Sequence, residues 1–359
     1  MKKIGLLLVS TLLLSILASC GIITGDKDQA EEDNNSGEEE VINAEIQNAS
    51  YILSGQDDGE PVEDKEGGLL QIELQIENTS GNSVTVFPDQ DIHLYDGENQ
   101  IDPSNDSYPL IGLEMDTNND IGAEKQKNMD VIFDVEKDSE YELSITPMSS
   151  DYEVSAKDAT VNLDTSEYND SLKTLETPGD ALEAYIDTIY LDQDNDDYKE
   201  LVSADKGDLQ DEAEEHFGDM LKEIFTEDVL SDSDIEKYYK SFKEAQADKS
   251  EFDTNVIANA NGKALVEVEY EALSSYDLSD EIGDYKIKYS EKHDDFDTEK
   301  EEKYALSKFD KIVDDLDVEK GTSEIELLLE EDDDGNWTID DSHSQTSENI
   351  RKVFAEGVI

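Results

Sequence analysis

Residues 69–81 read LLQIELQIENTSG, and this stretch decides the fold of the first half of the chain. The apolar residues at even positions from 70 to 76 alternate with glutamine and glutamate. Because successive side chains of a strand point to opposite faces of a sheet, the alternation predicts a strand with one buried and one solvated face. The polar residues 78–81 predict a turn at its end. Such one-sided strands are typical of antiparallel sheets.

Stretches with similar strand signals lie on both sides of it. Clusters of Gly, Asn, Asp and Pro separate them, as between strands joined by turns. The candidate strands are residues 44–53, 83–87, 92–95, 129–135, 141–146 and 152–163. About seven short strands with regular turns favour a β-sandwich, so we expect an all-β domain over residues 41–165.

Two longer stretches carry a resemblance to a known family. LLQIELQIENTSGNSVTVFP (69–88) and NMDVIFDVEKDSEYELSITP (128–147) resemble the telokin-like, immunoglobulin-like extracellular domain of Gram-positive (Firmicute) lipoproteins. The resemblance implies an immunoglobulin-like sandwich that acts as a binding or spacer module on the outer cell surface. It supplies no catalytic residues.

Helical patterns begin after a linker at residues 166–176. Thr177 fits an N-cap and Pro178 the first helical position. Asn261-Gly262 predicts a type I′ hairpin turn, because both central positions of that turn need a positive φ. We expect helices from 177 and over 209–225, 234–247, 298–316 and 347–358, hairpins over 255–273 and 325–340, and a strand over 285–289.

This order of elements predicts an α+β domain over residues 177–359, with helices packed on a curved antiparallel sheet. It resembles the cone-shaped nuclear-transport-factor-like fold, which recurs as the C-terminal part of Firmicute lipoproteins of unknown function. The extra helix at Thr298 departs from the simplest version of that fold. The sequence therefore predicts two domains, a β-sandwich followed by an α+β domain.

The first nineteen residues predict a signal peptide. Lys2 and Lys3 precede an apolar run that is too short for a spanning helix, which needs about 20 residues. Leu17-Ala18-Ser19-Cys20 resembles the lipobox of bacterial lipoproteins. The resemblance implies cleavage before Cys20, a diacylglyceryl group on its sulfur, and anchoring at the outer face of the cytoplasmic membrane. The alternative is a cysteine packed in a core.

Cys20 is the only cysteine in the sequence. Once lipidated, it would leave no thiol for a disulfide, for thiolate catalysis or for a metal site. Residues 20–40 are polar and acidic and predict a disordered tether behind the lipidated cysteine. We therefore expect a membrane partner through the lipid anchor.

The chain is strongly acidic, with 27 Lys and Arg, 95 Asp and Glu, and a formal net charge of −68. Such a charge repels nucleic acid and anionic lipid headgroups, so neither is an expected partner. The acids are spread along the whole chain, which favours a surface adapted to a salty or cation-rich exterior. Divalent cations should then associate diffusely. A dedicated cation-binding role is the alternative.

One acidic segment resembles a calcium loop. In DQDNDDYKELVS (192–203), Asp192, Asp194 and Asp196 match the first, third and fifth ligands. The sixth position is Asp197 where the loop needs Gly, and the twelfth is Ser203 where it needs Glu. The three aspartates are therefore weak metal candidates within an acidic turn.

No motif identifies a reaction. A Gly-rich phosphate loop, a nucleophile elbow and a His-Glu-x-x-His zinc motif are all missing, so no cofactor and no catalytic residue is expected. His93, His216, His293 and His343 lie far apart, without ligand spacing. Tyrosines 185, 238 and 239 either line a pocket or pack in the core.

These observations favour a membrane-anchored extracellular lipoprotein with a non-enzymatic accessory or ligand-binding role. They do not indicate the ligand or a protein partner. The competing interpretation is a cell-envelope hydrolase with paired carboxylates. The two are distinguished by whether a pair of carboxylates lies in an apolar cleft of the C-terminal domain.

Overall fold

One long antiparallel sheet runs through both halves of the chain. The computed structural model describes residues 39–55, 66–105, 108, 111–113, 119–151, 155–226, 229–340 and 344–358. The signal peptide, Cys20 and most of the tether lie outside the described residues, as do His343 and the start of the strand predicted over 152–163.

The strands come in two groups, ten before and five after a run of helices, counted over the described residues. Those of the first group are β1 Ile42–Ser54, β2 Gly67–Asn78, β3 Val84–Thr85, β4 Ile92–Asp96, β5 Asn99–Ile101, β6 Asp120–Ile121, β7 Gln126–Glu136, β8 Glu140–Ile145, β9 Met148–Ser149 and β10 Ala159–Asp164. Those of the second are β11 Glu251–Ala260, β12 Lys263–Leu273, β13 Val318–Lys320, β14 Ile325–Glu331 and β15 Trp337–Ile339.

The helices lie mainly in the second half. They are α1 Pro88–Asp91, α2 Asn169–Lys173, α3 Thr177–Ile189, α4 Tyr198–Leu201, α5 Lys206–Ile224, α6 Asp232–Lys249, α7 Ser275–His293, α8 Thr298–Leu306, α9 Phe309–Asp315 and α10 Ser344–Arg351. A 3₁₀ turn at Thr165–Tyr168 precedes α2, and a π-helical turn at Lys352–Glu356 follows α10.

The N-terminal lobe, residues 39–175, is a layered β structure. Strands β1, β2 and β7 form one end of the long sheet, and a second sheet has the order β10–β8–β4–β5. The four apolar residues at even positions 70–76 of β2 are fully buried, as predicted. They share one core with apolar residues of β4 and β8, so the two sheets enclose it between them. Strands β6, β3 and β9 form a small third sheet.

The C-terminal lobe, residues 177–358, packs helices on the other end of the long sheet. Ala264, Val266 and Val268 of β12 face the helices and are fully buried. Phe217, Phe242 and other apolar side chains of α5, α6 and α9 lie in the same core. The predicted α+β arrangement of helices on an antiparallel sheet is confirmed for this lobe.

A seam joins the two lobes. The long sheet has the order β15–β14–β12–β11–β1–β2–β7, with β13 beside β12. Strand β1 pairs with β11 where Leu53 lies opposite Asn259. A third apolar cluster covers this junction, and we call it the seam cluster; it comprises Ile52, Ile111, Leu113, Ile132, Ala258, Ala260, Leu265 and Leu328. The architecture is therefore two-lobed, with the lobes joined through one sheet.

Most predicted elements are confirmed, and one is wrong. Asn261 and Gly262 have φ values of +54° and +71°, as the predicted hairpin turn requires. The strand predicted over 285–289 is instead part of α7. The alternation at 285–289 covers only five residues. The longer helical pattern determines the structure, because Leu278 and Ile282 lie one turn apart on the buried face of α7. The helix predicted over 298–316 is divided into α8 and α9.

None of the helices among the described residues combines the length and the apolar character that crossing a membrane requires.

Candidate functional site

A groove of about 810 Å³ lies in the N-terminal lobe between β1 and β10, and we call it the edge groove. Its walls include the consecutive residues 44–46 of β1 and 161–164 of β10. Consecutive residues of a strand point to opposite faces, so runs of them bring the main chain at the strand edges into the groove wall. The volume falls within the range of about 300–1,000 Å³ that is typical of ligand pockets.

Both strands present an open edge there. Of the strands that the structure describes, β10 is the last of its sheet and pairs only with β8. Strand β1 pairs with β2 along most of its length, but on its other side it pairs with β11 only at Leu53 and Ser54. Among the described residues, the first part of β1 therefore has no ladder partner on the side of the groove.

Hydrogen bonds close the groove at both ends. At one end, Glu39 N–H donates to the Ser155 carbonyl and Lys157 N–H donates to the Glu39 carbonyl, both at 2.9 Å. The ammonium of Lys157 also lies 2.9 Å from Glu40. At the other end, Tyr51 N–H donates to Ser171 Oγ at 2.9 Å. The β1 segment is thus bonded to the residues before β10 at one end and to α2 at the other.

The groove is lined by negative charge and aromatic rings. Five carboxylates line it, and none of its described lining residues is basic; the acids are Glu45, Glu140, Glu142, Asp164 and Glu167. Three tyrosines complete the polar part of the wall, at positions 95, 141 and 168. Burial, with Glu167 and Asp164 nearby, raises the pKa of Tyr168, so its hydroxyl is neutral at physiological pH and can donate hydrogen bonds.

A second feature is a carboxylate trio on the outer face of the C-terminal sheet. Carboxylate oxygens of Glu267, Glu269 and Glu324 lie within 4.8 Å of one another. Glu267 and Glu269 are two residues apart on β12 and so share a face, while Glu324 immediately precedes β14. Glu326 lies directly opposite Glu267. Within the described part of the chain, this is the one group of three or more potential ligands with such spacing.

The surroundings of Glu267 change its titration. Partial burial, a hydrogen bond with Glu324 and the charges of its neighbours raise the pKa of Glu267 to about 7. The ammonium of Lys320 offsets part of the repulsion, since it lies 3.4 Å from Glu269. Near neutral pH, Glu267 and Glu324 can therefore share a proton or hold a cation.

Replacing Glu267 with glutamine should raise the melting temperature at pH 8. Its pKa is higher in the folded than in the unfolded state, so ionisation costs stability as pH rises from about 4.5 to about 7, and the cost is complete above 7. Because solvent screens this partly exposed group, we expect a gain of ~1 kcal/mol, or roughly 2 °C. Thermal melts at pH 8 and pH 5.5 should show the gain shrinking at the lower pH.

The matched control is Glu77→Gln, which removes one exposed charge from the other lobe. It should leave the melting temperature nearly unchanged at both pH values. An equal gain in the control would mean that net charge alone, and not the trio, determines the effect.

The structure does not bring Asp192, Asp194 and Asp196 together. All three are exposed in the segment between α3 and α4, and they do not form a group of ligand atoms within 4.8 Å. Asp192 instead lies 3.6 Å from the ammonium of Lys243 on α6. Their role as metal ligands stays a prediction.

The predicted aromatic and histidine residues lie elsewhere. Tyr238 and Tyr239 are buried in the helical core, where Tyr238 contacts Phe309 and Tyr239 contacts Phe217. Tyr185 packs against the same core, so the core interpretation fits these residues. Described histidines sit beside local partners: His93 lies near Asp102, His216 near Glu212, and His293 against the Tyr289 ring.

Sequence reasoning missed the edge groove and only partly found the trio. In the sequence, Glu267 and Glu269 alternate with apolar residues, which places both on one face of β12. Nothing local placed Glu324 beside them, because β14 and β12 pair across more than fifty intervening residues. The groove lies between β1 and β10, which are more than one hundred residues apart in the sequence. The local pattern of each segment predicts a strand and nothing more.

Comparison with known proteins agrees with the fold. Residues 168–355 match the family model described as a domain of unknown function, DUF5105. The chain is 24% identical over 370 residues to the uncharacterized lipoprotein YcdA of Bacillus subtilis strain 168, covering 99% of each protein. A crystal structure of the B. subtilis ycdA lipoprotein has a TM-score of 0.63 and 22% identity, covering 88% of this chain and 97% of that chain.

The prediction of a lipoprotein with a domain of unknown function is confirmed by these relatives. The structural similarity shows that the two-lobed fold exists in a solved lipoprotein. Because the family model matches more than half of its residues, this chain belongs to the DUF5105 family.

Proposed function

We propose that this protein is a lipid-anchored binding protein on the outer face of the cytoplasmic membrane, with a non-enzymatic role. The observation that carries the binding role is the edge groove, which has the volume of a ligand site, a polar and aromatic wall, and two open strand edges. The anchor rests on Cys20 in its lipobox-like context and on the lipoprotein relative that aligns over nearly the whole chain.

The hydrophobic effect explains how a diacyl anchor holds the protein on the membrane. Each buried CH₂ contributes about 0.8 kcal/mol, so one acyl chain binds marginally and two hold firmly. The predicted tether would then separate the folded lobes from the bilayer; its predicted end at residue 40 is two residues too late, because Glu39 and Glu40 bond to Ser155 and Lys157 of the N-terminal lobe. Its acidic composition suits that role, because anionic headgroups repel it.

Cys20→Ala should abolish stable membrane attachment. Without the sulfur there is no site for the diacylglyceryl group, so the protein should accumulate as uncleaved precursor or appear in the medium. Fractionation of cells followed by immunoblotting and mass spectrometry of the N-terminus measures both outcomes. Thr24→Ala, four residues further on, is the control and should be processed and retained like the wild type. A Cys20→Ala protein that is cleaved normally and stays on the membrane contradicts the lipid anchor.

The competing function is a hydrolase of the cell envelope. The Glu267–Glu324 pair favours it, because a carboxyl with a pKa of about 7 can act as a proton donor at neutral pH. Glu269 and Glu324 are exposed, however. Glycosidase carboxylates work within a site that excludes bulk water. The exposure of the trio therefore supports binding over catalysis.

We infer that the N-terminal lobe is an immunoglobulin-like sandwich of the telokin-like class and that the C-terminal lobe is nuclear-transport-factor-like. Support comes from the two sheets around one core in the first lobe and from helices packed on an antiparallel sheet in the second.

A further inference from the structure

We propose that the edge groove binds an extended, cationic polypeptide segment, which pairs with the open edge of β10 or β1 and places Lys or Arg side chains among the groove carboxylates. The inference rests on the proposed function, because it names the ligand class of the same groove. The open strand edges of the groove and the spacing of its charges support this ligand class. The negative charge of the groove also disfavours other occupants.

The strand edges supply the main-chain pairing. A strand at the edge of a sheet presents N–H and C=O groups that an extended peptide can pair with, and such pairing is a recurrent mode of peptide recognition. Between the bonded positions Glu39 and Tyr51, residues 42–50 of β1 have no described ladder partner on this side. At about 3.4 Å per residue, they can accommodate a peptide strand of roughly five to seven residues. A bulge near Gln47 disrupts the β1–β2 ladder within this open part.

The charges select a cationic segment rather than a single metal ion. The groove carboxylates do not bring three ligand atoms within 4.8 Å of one another, as the trio on the C-terminal sheet does. Acids spaced in this way suit several separate ammonium or guanidinium groups along an extended chain. The half-buried Tyr95 and Tyr168 add rings against which such cations can also pack, whereas the ring of Tyr141 lies in the core.

The negative charge of the groove disfavours two other candidate occupants, the tether of this chain and a second copy of the protein. The tether of this same chain contains six acids and one lysine over residues 21–38. A second copy of the protein carries a formal charge of −68. Both would bring further carboxylates into a groove that has no basic residue among its described lining. A basic segment of another protein is the occupant that fits.

The test uses the mature lipidated protein in neutral detergent and a fluorescein-labelled octapeptide of alternating Lys and Val. Fluorescence anisotropy should show binding that weakens with added salt. Glu45→Gln combined with Glu142→Gln should weaken it about tenfold, because two charge contacts are lost. The matched control, Glu77→Gln with Glu319→Gln, removes the same charge at exposed sites outside the groove and should change affinity less than twofold.

One control peptide and one measurement distinguish strand pairing from charge attraction alone. Proline in place of each Val keeps the charge but removes alternate N–H donors, so it should bind much more weakly. Hydrogen exchange should show protection of amides in residues 43–50 or 159–164 when the Lys-Val peptide is bound. Equal binding of both cationic peptides, insensitive to the groove substitutions, would overturn the inference.

A neutral octapeptide with Thr in place of Lys distinguishes this inference from the proposed function. If the neutral peptide protects the groove amides as well as the cationic one does, the cationic class is wrong and the groove remains a binding site. If no peptide of either kind protects those amides, both the inference and the proposed binding role of the groove fail.

Discussion

Gln246→Leu should lower the free energy of unfolding by about 3 kcal/mol or more. Gln246 is fully buried on α6. Its Nε2 donates to the Val353 carbonyl at 3.0 Å, and its Oε1 accepts from Leu273 N–H at 2.9 Å and from Ser250 Oγ at 2.6 Å. Leucine has a similar volume, so the loss arises mainly from polar groups left buried without partners, at about 1–3 kcal/mol each.

Chemical denaturation with urea measures this effect, and Gln210→Leu is the matched control. Gln210 lies half-buried on α5 and makes one described hydrogen bond, to the Thr188 carbonyl at 2.8 Å. Water can replace that bond, so the control should cost less than about 1 kcal/mol. Equal losses in the two variants would show that Gln246 does not specifically link α6, β12 and the C-terminal turn.

Gln246 also illustrates what local sequence patterns can and cannot predict. Its neighbours on α6 follow the helical period, and Ile235, Tyr238 and Phe242 are buried as that period requires. A glutamine at a core position departs from the pattern. It is there because it bonds main-chain groups of Leu273 and Val353, which are distant in sequence. The period predicts which face is buried, but it does not predict which main-chain groups that face must satisfy.

The strands were predictable because their signal is local. Alternation along β2 and the Asn261-Gly262 turn each depend on a few adjacent residues. The strand prediction at 285–289 is wrong because a longer-range signal outweighs the local one. Tyr285 and Ile287 alternate with lysines, yet Ser274 accepts from Asp277 N–H and starts a helix eleven residues earlier. A cap and a buried helical face outweigh five residues of alternation.

The candidate sites were less predictable because tertiary pairing creates them. The edge groove needs β1 and β10 to lie near each other without pairing, and main-chain bonds from Glu39 to residues 155 and 157 hold the segments before the two strands together. The trio needs β14 to pair with β12 so that Glu324 comes close to Glu267. Neither arrangement has a sequence motif, and both acids and strand residues are common throughout this chain.

Ile52→Asp should uncouple the two lobes. Ile52 lies on β1 within the seam cluster, together with Leu265 and Leu328 of the C-terminal lobe. An unpaired carboxylate there removes apolar contacts and places a charge where no described hydrogen bond compensates it, so the seam should lose at least ~3 kcal/mol. Each lobe keeps its own core, so differential scanning calorimetry should show two transitions where the wild type shows one.

Ile52→Val is the control, because it keeps an apolar side chain in the seam and should cost about 1 kcal/mol without dividing the transition. The domain boundary at residues 166–176 stays a prediction that this experiment addresses. If the two lobes are independent folding units, one of the two transitions of Ile52→Asp should match the unfolding of residues 177–359 expressed alone. If Ile52→Asp instead unfolds in one transition at a lower temperature, the lobes form a single cooperative unit, and the sheet that runs through the seam determines the stability of both.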